Sequence, residues 1–224
     1  MPKVDFDEYA EQYDNVLQQN IGKLGKNISY YAEHKVITLQ RYLKKQPARI
    51  LEFGCGTGRN IPFIKLAFPD ACVWGCDVSR ESLETARTNN PSVSFFHVDE
   101  KPDPLPAMDM VFVSCVFHHI PVDQRDHWMQ YIGIILALQG YLFIFEHNPY
   151  NPLTQHAVNT CPFDKDAVLL RPAEFKSLLS GALLKHLRTD YILFFPAGLR
   201  RFNIFEKYLT RVPFGGQYMV MARK

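Results

Sequence analysis

The segment Ile50-Leu51-Glu52-Phe53-Gly54-Cys55-Gly56-Thr57-Gly58-Arg59-Asn60 constrains this chain more than any other. An apolar run passes directly into three alternating glycines, and a helix-like pattern, Ile61 to Phe68, follows. Glycines permit a sharp turn and let the backbone approach a ligand closely. The helix start behind them offers unpaired N–H groups and the positive end of a dipole. A dinucleotide fingerprint, GxGxxG, would need glycine where Arg59 stands, and the Gly-Lys-Ser/Thr ending of a P-loop is missing.

Further apolar runs follow at intervals. They are ACVWGCDV, VSFFHVD, DMVFVSCVF and GYLFIFEH, after the first run ARILEF. Amphipathic segments at Arg80 to Asn89, with Ser79 as N-cap, and at Gln124 to Gln139 read as helices between them. Strands apolar on both faces and separated by helices indicate a mostly parallel sheet covered on both sides. Upstream, Asp5 to Leu43 reads as two helices, the second using Ile28, Tyr31, Lys35, Leu39 and Tyr42. Downstream, Pro172 opens a helix, Leu187 to Phe195 reads as a strand, Leu199 to Leu209 as a helix and Gly216 to Ala222 as a closing strand. Residues 147–170, rich in proline, asparagine and aromatics, read as a long functional loop that could hold a short helix.

With 224 residues, 47% of them hydrophobic, one domain over 1–224 is expected. A net charge of +2 lacks the strong basic excess of a dedicated nucleic-acid binder, so a nucleic-acid partner is not expected. The acidic N-terminus lacks the apolar segment of a signal peptide, and no apolar run reaches the ~18 residues of a membrane span. A cytoplasmic protein is the expectation. Five cysteines without a CxxC pair read as buried free thiols, and no metal is expected. Oligomeric state has no signature here.

The string ExGCGTG closely resembles the first motif of class I S-adenosylmethionine-dependent methyltransferases, and the agreement continues over residues 48–146. The resemblance implies that Glu52, Gly54, Cys55, Gly56, Thr57, Gly58 and Asn60 surround the cofactor, with Arg59 and Asn60 near its methionine end. Asp77, ending the second apolar run, would hold the two ribose hydroxyls. A carboxylate suits this because it accepts hydrogen bonds and donates none. By the same resemblance Val78 packs on adenine, and Val98 and Asp99 meet its far edge. Val116-Phe117-His118-His119-Ile120 matches the end of the family's fourth strand, placing His118 near the cofactor. The implied fold is a Rossmann-like seven-stranded mixed sheet in the order 3-2-1-4-5-7-6, with strand 7 antiparallel. Residues 1–46 would form a helical lid.

Acceptor groups belong beyond the C-terminal strand ends, where ligands bind in open α/β sheets. Glu146, His119, His147 and Tyr150 are the candidates. Glu146 and His119 would face the transferred methyl group, with His147 and Tyr150 shaping the pocket. A histidine with pKa near ~6.5 can take a hydroxyl's proton at neutral pH. A carboxylate can anchor an amine instead, and each of these residues can equally be structural. The loop EHNPYNPLT resembles those of small bacterial methyltransferases of undefined substrate. The expected activity is methyl transfer to oxygen or nitrogen of a small molecule. Other group transfer from the same cofactor and a non-catalytic binding protein stay open.

Overall fold

The computed structural model describes residues 6–7 and 28–224. Seven strands, β1 (Arg49–Phe53), β2 (Cys72–Asp77), β3 (Ser94–His97), β4 (Met108–Ser114), β5 (Leu136–His147), β6 (Lys185–Ile192) and β7 (Gln217–Arg223), form one sheet. Their order is β3-β2-β1-β4-β5-β7-β6. β1 to β5 pair in parallel, and β7 runs antiparallel to both neighbours, as expected. The helices are α1 (Ile28–Gln40), α2 (Ile61–Ala67), α3 (Arg80–Asn89), α4 (Arg125–Ile135), α5 (Pro152–Thr160), α6 (Pro172–Gly181) and a single turn, α7 (Glu206–Leu209).

The continuous apolar runs have a simple cause. Successive strand residues point to opposite faces, and both faces are covered. Leu51, Val111, Val113, Leu142 and Ile144 enter one core with Met129 and Ile132 of α4 and Phe175 of α6. Ile50, Met110, Phe112, Phe143 and Phe145 enter the other with Val36 and Leu39 of α1 and Ile61 and Ile64 of α2. Each such side chain, fully buried, contributes roughly 1.5–3 kcal/mol.

Local signals set the ends of several elements. Ser79 caps α3 by accepting the Ser82 amide at 3.0 Å. Asn151 caps α5, which lies inside the 147–170 loop, by accepting the Leu153 and Thr154 amides.

Three segments depart from the sequence reading. α4 stops at Ile135 and β5 starts at Leu136, because Leu136 is already extended (φ −68°, ψ 135°) and pairs with Met108 of β4, whereas the helix was expected to run to Gln139. Leu199 to Leu209 is mostly 3-10 turn with a kink at Leu199, closing in α7. Cys72 is exposed at the start of β2, whereas Cys55, Cys76 and Cys161 are buried, and all five cysteines are free. The helix expected around Tyr9 and Tyr13 lies outside the described residues. No described helix is long and apolar enough to cross a membrane.

Candidate active site

The glycine loop leaves β1 in a conformation few other residues adopt. Gly54, Gly56 and Gly58 have φ of +72°, +51° and +76°. A Cβ on Gly54 would collide with the Val116 side chain just beyond β4, so a residue without one is needed there. A Cβ on Gly56 would meet nothing within 4 Å, so that backbone faces open space.

That space is a cavity of about 800 Å³ along the C-terminal ends of β1, β2, β4 and β5. Asp77 lines it, with Oδ2 accepting the Gly56 amide at 2.7 Å and Oδ1 the Ser79 amide at 3.0 Å. Burial pushes its carboxyl above the ordinary value, and the amides pull the other way. A carboxylate offers about four lone-pair sites, so two amides leave capacity for further donors. Val78 and Val98 also line the cavity, Val78 largely exposed. Asp99 does not, and its side chain is 78% exposed.

Glu52 lies beneath the loop, fully buried. Its Oε1 accepts the Asn60 amide at 2.6 Å, and Oε2 has no partner. Burial pushes the carboxyl up to about 8, against Asn60, Lys35 and Arg59. Asn60, Cys55 and Thr57 reach the cavity, as does Arg59. Trp128 of α4 closes one wall, with its ring 5.6 Å from that of Phe53.

Across the cavity, β4 ends in a sharp turn at Cys115, with φ +59°. Lys35, only 6% exposed, donates to Ser114 Oγ at 2.7 Å and forms no ion pair among the described residues. Burial raises the Cys115 thiol, but Lys35 and His147 outweigh it and hold it at about 6.

The turn after Cys115 carries the histidine pair. Glu146, 1% exposed, stands behind it rather than on the cavity wall. Its Oε1 accepts the Val116 and Phe117 amides at 3.0 and 2.7 Å, and its Oε2 meets His118 Nδ1 at 2.6 Å. Despite burial, these contacts hold Glu146 below its ordinary value. Burial alone would lower His118, yet Glu146 and Asp164 raise it to about 10. His119 goes the other way, to about 4, through burial and the neighbouring His118 charge.

Asp164, from the turn after α5, lies 3.5 Å from His118 Nε2 and 3.3 Å from His119 Nε2. His118, His119, Asp164 and His147 all line the cavity. Tyr150 is half exposed and does not.

The structure therefore brings Asp77, the glycine loop, Val78, Val98, His118, His119 and His147 to one cavity. Glu52 and Glu146 lie behind its wall, and Asp99 and Tyr150 outside it. Asp164 and Trp128 were not singled out from the sequence. Asp164 is 45 residues from His119, and only the fold joins them. The ligand atoms of His118, His119 and Asp164 lie within 4.8 Å of one another, a grouping that sequence spacing does not show.

The sheet order is that of the class I S-adenosylmethionine-dependent methyltransferase fold. Residues 50–140 match the family described as a methyltransferase domain. A trans-aconitate 2-methyltransferase of Methylobacterium nodulans is 33% identical over 76 residues, 34% of this chain and 30% of that protein. A malonyl-[acyl-carrier protein] O-methyltransferase of Halalkalibacterium halodurans is 28% identical over 149 residues, 58% of this chain and 51% of that one. The chain thus spans about a third to a half of these relatives. The plantazolicin methyltransferase BpumL, solved in complex with SAH, superposes with a TM-score of 0.68 at 14% identity, covering 98% of this chain and 94% of its own.

Proposed function

We propose that this protein is an S-adenosylmethionine-dependent methyltransferase acting on an oxygen or nitrogen of a small molecule. The observation that carries the reading is the single cavity joining Asp77 and the glycine loop to the His118–His119 turn.

The residues present fit the cofactor. Asp77 retains acceptor capacity for two ribose hydroxyls, and Gly56 leaves open the space a side chain would fill. Val78 and Val98 offer apolar contact to a base. Asn60 and Arg59 line the opposite stretch, above Glu52. Bound there, the cofactor supplies an electrophilic methyl group. The chain's own task is to hold the acceptor in line and exclude water. His119 and His147 face the acceptor, and Glu146 is a positioning residue acting through His118. Tyr150 stands at the outer margin of the acceptor loop, and Asp99 at the solvent edge of the base site.

Among oxygen acceptors, a carboxylate is the favoured class. The two relatives named above act on trans-aconitate and a malonyl group, both acidic. Lys35 supports the same chemistry here, as a buried cation on the cavity wall that contacts Ser114 and Cys115 and has no carboxylate partner among the described residues.

The test is incubation with methyl-labelled cofactor and a small-molecule extract, with and without the protein. Label in a new small product, enriched among methyl esters, is expected. Transfer of a different group from the cofactor, or tight binding with no transfer to any acceptor, would overturn the reading.

A further inference from the structure

The spacing around Asp164 is wrong for a hydrogen bond and right for something else. A well-formed N–H···O contact measures about 2.7–3.2 Å. His118 Nε2 and His119 Nε2 stand 3.5 and 3.3 Å from Asp164 Oδ1. Donors about 2.0–2.2 Å from a tetrahedral metal lie roughly 3.3–3.5 Å from one another. The three atoms all fall within 4.8 Å of each other.

His118 supplies a second, independent sign. Its side chain is 1% exposed, yet Nε2 has no hydrogen-bond partner. The other nitrogen is committed. Glu146 has its Oε1 filled by two backbone amides and turns Oε2 to His118 Nδ1. That contact commits Nδ1 as the donor to Glu146 and turns Nε2 toward Asp164 and the cavity, where metal binding would displace its proton. Metal-ligating histidines are oriented in this way by a carboxylate behind them.

We propose that His118 Nε2, His119 Nε2 and Asp164 Oδ1 bind a divalent transition-metal ion, with Glu146 orienting His118. Two imidazoles and one carboxylate suit zinc or iron(II) and not a hard, all-oxygen ion such as calcium. The protein covers one side of the site, and the cavity leaves the other open, as in sites where the metal meets a substrate. Its use there rests on the methyltransferase reading: the ion would orient an acceptor oxygen and, for a hydroxyl, ease loss of its proton. Binding itself does not depend on that reading.

The experiment uses the whole protein, stripped with chelator and titrated with cobalt(II), then zinc. One equivalent of cobalt per chain is expected, with visible absorption bands of a low-coordinate nitrogen and oxygen site, displaced by zinc. Asp164→Asn and His119→Gln should each weaken zinc binding at least about tenfold, and Glu146→Gln about 10- to 100-fold. SAH affinity in the same variants reports whether they fold. If a variant does not fold, the wild-type cobalt spectrum decides alone. No stoichiometric uptake, zinc affinity unchanged in folded variants, or a strong near-ultraviolet thiolate band placing cobalt on Cys115 would each overturn the proposal. Failure of the wild type to bind SAH would instead break the methyltransferase reading and leave the metal result standing.

Discussion

The two halves of the cavity are built by opposite means. On the cofactor side, backbone does the shaping: three glycines in the left-handed region, amides aimed at Asp77, and a carboxylate at a strand end. On the acceptor side, side chains do it. Glu146, His118 and Asp164 form a buried charged chain drawn from three distant segments. A backbone-built site can lose a side chain and keep its shape. A side-chain-built site carries buried charge, and removing one member strands the others.

This contrast is most exposed to test at Glu146. Glu146→Ala leaves His118 and two amides without their acceptor inside the protein. Breaking a buried pair in this way costs about 3–5 kcal/mol. For a chain of this size that lowers Tm by roughly 6–20 °C, readable in a thermal melt. A Tm within a degree or two of wild type would erase the distinction between the halves.

The opposite behaviour is expected at Asp77. Asp77→Ala should weaken cofactor binding by about 1–3 kcal/mol, roughly 5- to 150-fold, with a smaller loss of Tm than at Glu146, because the two amides it leaves face a cavity that water can enter. Calorimetric titration checks it, and wild-type affinity would remove Asp77 from the ribose site.

Glu52 sharpens the comparison because it is a buried titratable carboxyl on the backbone-built side. Its folded pKa of about 8 stands above an ordinary 4.5. The folded protein therefore holds this proton more tightly than the unfolded chain, and stability falls as pH rises between those values. Glu52→Gln keeps an acceptor for Asn60 and removes that slope. The variant should match wild type near pH 4.5 and melt several degrees higher at pH 8. Parallel pH profiles would contradict a raised pKa. Asp99→Ala should do least, below about threefold in cofactor affinity, because an exposed hydrogen bond contributes little beyond its exchange with water.

The same contrast decides what could be read from the sequence. The glycine loop and the parallel strands were legible because they depend on contiguous residues and a fixed period, whereas Asp77 and the sheet order followed from the family resemblance that those motifs carry. His118, His119 and His147 were placed at the C-terminal end of the sheet because each follows an apolar strand run. Glu146 was expected to face the methyl group, and alternation could not correct this, because both faces of β5 enter a core, Leu142 and Ile144 on one and Phe143 and Phe145 on the other. Tyr150 lies beyond β5, where that period no longer applies. Asp164 was invisible, because the turn after α5 is carried to the histidine pair by tertiary packing alone. The β5 boundary was misread because Leu136 pairs with Met108 in the sheet, a tertiary contact that outweighed the helical pattern running on to Gln139.

Trp128 gives the cavity a light signal of its own. The chain has two tryptophans. Trp128 forms part of the cavity wall against Phe53, whereas Trp74 sits within β2, away from it. In a Trp74→Phe variant the remaining indole emission would come from the wall alone. Filling the cavity would change the water around that ring, so intensity and wavelength would follow occupancy directly. Candidate acceptors, metals and cofactor analogues could then be ranked by titration in a cuvette, before any product has been identified.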